Sequence, residues 1–273
     1  MATKTSDGGS NSNNNRPQDP PATQFESDPI LKDLLLPADE RPEYFGLVLV
    51  AAWPPSQEVI ATPYNNFINQ VRQCFDEKDL MKTGESPPSV YLYDSAYLHV
   101  TIATLHPLRP RKNNNESDDD DSIYFKSLEE SWKLFVKDAA KHSDWPKAPL
   151  RFQIDSCQIG TRAGIVLWKE TTGGLRTIRT ILSLVAEARE EQNFKIHSVP
   201  GIIHSTFLRF HDVPTTDGEI VQSTFQTNVL NNLNDMFKDV TMTSPDIKLV
   251  CERIPYMHSP NDEHHVIATF SLL

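Results

Sequence analysis

Leu98-His99-Val100-Thr101-Ile102-Ala103 and Ile203-His204-Ser205-Thr206-Phe207-Leu208 are the two stretches on which the fold turns. Both follow the pattern His-x-Thr-apolar inside runs rich in β-branched and aromatic residues, which predicts strands. Side chains alternate across a strand, so His99 is expected beside Thr101 and His204 beside Thr206. Each strand then presents an imidazole next to a hydroxyl. A single such motif arises by chance in a chain with nine histidines, and a lone strand histidine ordinarily ends as a hydrogen-bonded surface residue. Two motifs, each in the third element of its half of the chain, outweigh either alone.

Working outward from the first motif, Phe45 to Trp53 (FGLVLVAAW) predicts a buried strand. Asn65 to Glu77 predicts a helix, with Phe67, Val71 and Phe75 at four-residue spacing. The motif strand is expected over Tyr97 to Leu108. A second helix follows over Ile123 to His142, with Leu128, Trp132, Phe135 and Ala139 on one side. Around the second motif the order repeats. Strands are expected at Leu150 to Ile159 and Ile165 to Lys169, with a turn at Gly160 to Gly164 between them. A helix follows Gly173 and Gly174, with Leu175, Ile178, Leu182 and Val185 aligned. The motif strand spans Gly201 to Phe210, and a helix spans Ile220 to Lys238. Strands at Ile247 to Ile254 and His265 to Leu272 close the chain. Strands alternating with helices imply an α/β or α+β sandwich of two similar halves, its sheets covered by helices on one face.

The 273 residues are 38% hydrophobic and 23% charged, which suits one globular domain or two small packed lobes and excludes a fibrous chain. Residues 1 to 27 are almost free of apolar side chains and are expected to be disordered. Arg109 to Asp121 (RPRKNNNESDDDD) is expected to be a solvated loop in which basic residues precede an acidic run. No apolar run approaches the ~20 residues that span a bilayer, and the N-terminus lacks the apolar core of a secretory leader. A cytoplasmic or nuclear protein without membrane contact is the expectation. Cys74, Cys157 and Cys251 are odd in number and widely spaced, as reduced buried thiols are. The net charge is −11, of which Glu116 and Asp118 to Asp121 supply five. Wrapping long duplex nucleic acid needs many cations, so a nucleotide or short RNA terminus is the partner such a chain admits, bound by a monomer.

Paired imidazoles and hydroxyls permit phosphodiester cleavage that requires no metal or cofactor. One neutral imidazole takes a proton from the attacking oxygen, and the other, as imidazolium, protonates the departing one. A histidine pKa near ~6.5 makes both forms accessible. Hydroxyls of Thr101 and Thr206 can donate to the non-bridging phosphate oxygens as charge builds on them.

Paired His-x-Thr-apolar motifs, one in each half of a strand–helix repeat, resemble the two-histidine (2H) phosphoesterase superfamily over about residues 43 to 273. The resemblance implies a bilobal, duplicated α+β fold: two antiparallel sheets flanked by helices, with a central groove. It implies lobes at about 43–148 and 149–273 and a metal-free catalytic tetrad of His99, Thr101, His204 and Thr206. The long N-terminal tail and the acidic insertion depart from the minimal family core. Threonine in both motifs points toward the cyclic phosphodiesterase and RNA-ligase-like branches, hence to hydrolysis of a 2′,3′-cyclic phosphate. The alternatives are an exonuclease trimming RNA 3′ ends and a non-catalytic nucleotide-binding or anchoring module.

Strand parity adds Tyr97 beside His99 and Phe210 beside His204 as rings that could stack on a base, with Trp168 as a third candidate; core packing is the alternative for each. Arg162, Arg176 and Arg179 are expected at the solvated surface. Parity sets Arg209 on the face away from His204. His258, His264 and His265 with Asp262 and Glu263 have no defensible ligand spacing and are expected to form a polar turn.

Overall fold

Every residue of β1 (Tyr44–Ala51) is buried, because both faces of this strand are covered. Leu47, Leu49 and Ala51 enter the main core, while Val48 and Val50 join a second cluster with Trp53 and Val250. The structure, a computed structural model, describes residues 23–34, 36, 40–81, 87–111, 118–189, 195–254 and 266–273, and within 118–189 it describes side chains from 123 onward.

Two antiparallel sheets form the α+β fold that the sequence implies. The first has the order β3-β1-β8-β9, with β3 Val100–Pro110, β8 Asp246–Glu252 and β9 Val266–Ser271. The second has the order β2-β6-β5-β4-β7, with β2 Val90–Leu92, β4 Leu150–Ile159, β5 Ala163–Glu170, β6 His204–Phe210 and β7 Met242–Ser244. The helices are α1 Pro29–Leu34, α2 Gln57–Arg72, α3 Glu77–Leu80, α4 Asp118–Ala139, α5 Gly174–Glu187, α6 Gly218–Asn228 and α7 Leu233–Met236. Helix α4 sets Phe125 against Phe45 of β1 at 4.4 Å between centroids, and α2 sets Phe67 edge-on to Phe207 of β6 at 4.9 Å. One core cluster thereby joins both sheets. Among the described residues no helix is long and apolar enough to cross a membrane.

Sheet membership does not follow the division of the chain near residue 148. Strand β8, from the C-terminal end, pairs with β1 and carries β9 on its other edge, and the short β2 from the first half pairs with β6. Apolar periodicity records burial but not the strand opposite, so this exchange left no sequence signal. Three residues of β2 are too few to show alternation at all.

Other boundaries shifted for identifiable reasons. Helix α2 begins before Pro63 and runs through it, where burial of Ile60 and Tyr64 offsets the lost backbone hydrogen bond. The expected helix from Ile220 breaks into α6, a 3-10 turn at Leu230–Asn232 and α7. The expected loop at Arg109 to Asp121 is shorter, since β3 continues to Pro110 and α4 starts at Asp118; residues 112–117 lie outside the described residues. The expected tail of residues 1 to 27 is ordered at its end, while 1–22 lie outside the description. Phe25 stacks on Phe210 at 4.6 Å, and the Glu26 and Asp28 amides donate to Thr161 O at 2.9 Å and Phe210 O at 2.7 Å. A single apolar residue in polar surroundings gave no periodicity to detect. The chain passes so close here that a Cβ on Gly218 would lie 2.0 Å from Thr23 O.

Candidate active site

The two motif strands carry the same irregularity in the same place. In β3, Val50 faces Thr101 but Leu49 faces Ala103, so Ile102 is an extra residue against β1. In β6, Ile165 faces Thr206 but Gly164 faces Leu208, which makes Phe207 the extra residue against β5. A bulge resets side-chain parity. Ile102 and Ala103 both turn into the core, as do Phe207 and Leu208. The residue that follows each pair, Thr104 or Arg209, therefore returns to the side of the motif's histidine and threonine. Gly164 leaves room for this, because a Cβ there would meet the Phe207 ring at 2.5 Å.

His99, Thr101, His204 and Thr206 line one cleft of about 340 Å³. Thr104 and Arg209 line it too, through the bulges. Four polar residues from outside the two motif strands also line it, none of them singled out by the sequence: Tyr93 before the motif turn, His197 and Ser198 in the loop leading to β6, and Glu252 on β8. Unbroken parity put Arg209 on the wrong face; the available signal was the pair of consecutive apolar residues after each threonine, which breaks the alternation.

Of the three aromatic candidates, none lines the cleft. The bulge that brings Arg209 in sends Phe210 out, and its ring is wholly buried against Phe25 and Phe75. Tyr97 lies in a 3-10 turn, Ser95–Tyr97, rather than in the strand; its part in the site is a carbonyl that accepts from His99 Nδ1 at 2.9 Å. Trp168 is 4% exposed and donates from Nε1 to Ser205 Oγ at 2.9 Å. Ser205 in turn donates to His99 O at 2.6 Å, so the buried indole ends a tether that joins the motifs directly. Ser198 adds a second tie, exchanging backbone hydrogen bonds with Thr104 at 2.8 and 3.1 Å.

The arginines divide. Arg162 pairs with Glu26 at the surface and Arg176 is exposed, as expected. Arg179 is half-buried and hydrogen-bonded to backbone carbonyls, contrary to the solvated surface expected of it. Arg209 Nη1 lies 2.7 Å from Asp28 Oδ2, a nearly buried pair that fixes the guanidinium at the cleft wall. His258, His264 and His265 lie outside the described residues.

Burial sets the protonation of the pair. The His204 imidazole is pushed down to about 4, first by desolvation and then by the neighbouring His99, Arg209 and Arg179. His99 is also lowered by desolvation, opposed by the Tyr97 carbonyl and helped by Arg209. Both rings are therefore neutral at pH 7 while the cleft holds no anion, and the Tyr97 carbonyl holds the His99 proton on Nδ1. That leaves Nε2 of His99 with its lone pair available. Such an arrangement can hold an anion and move protons on two sides of it.

The chain matches no known family model and no curated protein. It is similar to solved structures at low identity. Escherichia coli LigT, solved in complex with 3′-AMP, is 12% identical over 77% of this chain and 88% of LigT, with a TM-score of 0.40. The Thermus thermophilus protein TT0787 is 18% identical over 83% and 97%, with a TM-score of 0.45. A conserved protein of unknown function from Agrobacterium tumefaciens is 11% identical over 83% and 87%, also at 0.45.

Proposed function

We propose that this chain is a metal-independent phosphodiesterase of the two-histidine type that hydrolyses a 2′,3′-cyclic phosphate on a nucleotide or an RNA end. The observation that supports this reading most is the convergence of His99, Thr101, His204 and Thr206 on one cleft with a guanidinium at its wall. Two imidazoles suffice for both proton transfers, and one guanidinium at the wall, with Glu252 nearby, suits a single phosphate rather than a long polyanion.

The phosphate brings the charge that makes the pair work. Its negative charge offsets the desolvation of the rings and lets them hold one proton between them. The Tyr97 carbonyl favours that proton on His99, because a hydrogen bond from imidazolium is the stronger one. His204, pushed down to about 4, takes the proton of the attacking water as its oxygen bonds to phosphorus. The phosphorus–oxygen bond to one ribose oxygen breaks, and His99 delivers its proton to that oxygen, leaving a phosphomonoester. Thr101, Thr206 and Arg209 stabilise the charge on the non-bridging oxygens.

The test is turnover of nucleoside 2′,3′-cyclic monophosphates in excess chelator. His99→Ala and His204→Ala are each expected to lower kcat roughly 10²- to 10⁴-fold. Turnover indifferent to both substitutions would remove the mechanism. Shortening of linear RNA without opening of cyclic monomers would put an exonuclease in its place, and nucleotide binding without product would leave a binding module.

A further inference from the structure

We infer that Arg179 is a positioning residue for the paired histidines: from α5 its guanidinium staples the free edge of β3 to the chain entering β6 and so sets the spacing of the two motifs. The inference deepens the phosphodiesterase reading and rests on it for its catalytic consequence, though not for its geometry.

Strand β3 ends its sheet, with β1 on one side only, so the carbonyls of its outer edge need partners from elsewhere. Arg179 supplies two of them. Its Nη2 donates to Thr101 O at 2.9 Å and its Nε to Ile102 O at 3.1 Å. These are the carbonyls at the bulge, where a regular ladder could not reach both. The same Nη2 also lies 3.3 Å from Ile202 O. Thr101 stands two residues after His99, and Ile202 stands two residues before His204. One planar cation therefore touches both motif chains at equal sequence distance from the two imidazoles.

The helix behind it is firmly seated. Leu175, Ile178, Ile181 and Leu182 are all buried, so α5 holds the guanidinium against a rigid support. A guanidinium offers donors in a fixed fork; an ammonium on a flexible stem cannot meet three carbonyls in one plane. Among the described residues, removing the fork leaves the hydrogen bonds of Ser205 to His99 O and of Ser198 with Thr104 as ties between the motifs. The chain is thus expected to fold without Arg179 while the cleft loses its set width. An error of about 1 Å in the placement of reacting groups costs on the order of 100-fold in rate.

The charged and titratable groups facing His204 are His99 at the entry to β3, Arg209 on β6, Arg179 on α5, His197 in the preceding loop and Glu252 on β8. Loss of Arg179 removes one cation from this set and admits water, and both changes raise the His204 midpoint.

Arg179→Met and Arg179→Lys, assayed on a nucleoside 2′,3′-cyclic monophosphate and titrated by histidine NMR, test the inference. In folded Arg179→Met, kcat is expected to fall roughly 10- to 100-fold with KM changed by much less, and the His204 midpoint is expected to rise above about 4. Arg179→Lys is expected to restore little of kcat. A merely structural arginine would lower the melting temperature and leave kcat of the folded variants at the wild-type value, and that result overturns the inference. If Arg179→Met does not fold, wild-type kcat in Arg179→Lys overturns it. If the wild-type chain opens no cyclic phosphate, the phosphodiesterase reading falls by itself, and an unchanged His204 titration in Arg179→Met still decides against the staple.

Discussion

Arg209 shows how much of this site depends on a single side chain's direction. Its guanidinium lowers both imidazoles and lines the cleft beside them. Arg209→Gln is therefore expected to have two separable effects. Inorganic phosphate or nucleotide should bind roughly 10- to 100-fold more weakly, as loss of a charge-assisted hydrogen bond implies. The His99 and His204 midpoints should both rise, which NMR titration of the free protein would record. The rising limb of kcat/KM, which reports the base in the free enzyme, is expected near pH 4 in the wild-type chain, following His204, and at higher pH in the variant. An unchanged affinity with unmoved midpoints would mean that this guanidinium does not face the substrate.

At the scale of the element, the paired bulges in β3 and β6 are the device that builds the cleft. Each turns two apolar residues into the core and returns the next polar residue to the groove, so the third groove-facing position falls on Thr104 and Arg209 instead of on Ala103 and Leu208, where unbroken alternation would put it. Phe207 can occupy its place only because Gly164 has no side chain. Gly164→Ala is expected to lower stability by about 1–3 kcal/mol through overpacking, measured as a shift of the denaturant midpoint. It should also weaken phosphate binding, since Arg209 follows Phe207 by two positions. An alanine variant as stable and as tight-binding as the wild-type chain would show that the bulge has another cause. Neither bulge could be read as such from the chain, although the pairs Ile102-Ala103 and Phe207-Leu208 mark the positions where alternation fails. The tie from Trp168 through Ser205 to His99 O was equally hidden, because hydrogen bonds across two sheets have no local periodicity.

Over the whole molecule, four half-buried or buried histidines, His99, His106, His204 and His211, are all lowered from the ordinary value by desolvation. The unfolded chain binds protons at these positions near ~6.5, and the folded chain does so only lower, near about 4 for His204. Their contribution to stability is thus fully present above about pH 6.5 and is lost as pH falls toward 4, where the unfolded state holds the extra protons. Melting temperature is expected to drop across that window, with a shallower slope in His204→Gln; equal slopes would place the acid sensitivity elsewhere. Asp79 adds a later loss, because hydrogen bonds from Thr215 and Thr216 hold its carboxyl below the usual range. The chain by itself determined the strands, the long helices and the two His-x-Thr motifs, because alternation and four-residue spacing are local consequences of one covered face. Only the tertiary structure decided which strands are neighbours, that the end of the N-terminal segment clasps Arg209, and which of Arg209 and Phe210 faces the cleft. Those outcomes rest on an inserted residue and on contacts between segments far apart in the chain, and neither leaves a period in the sequence.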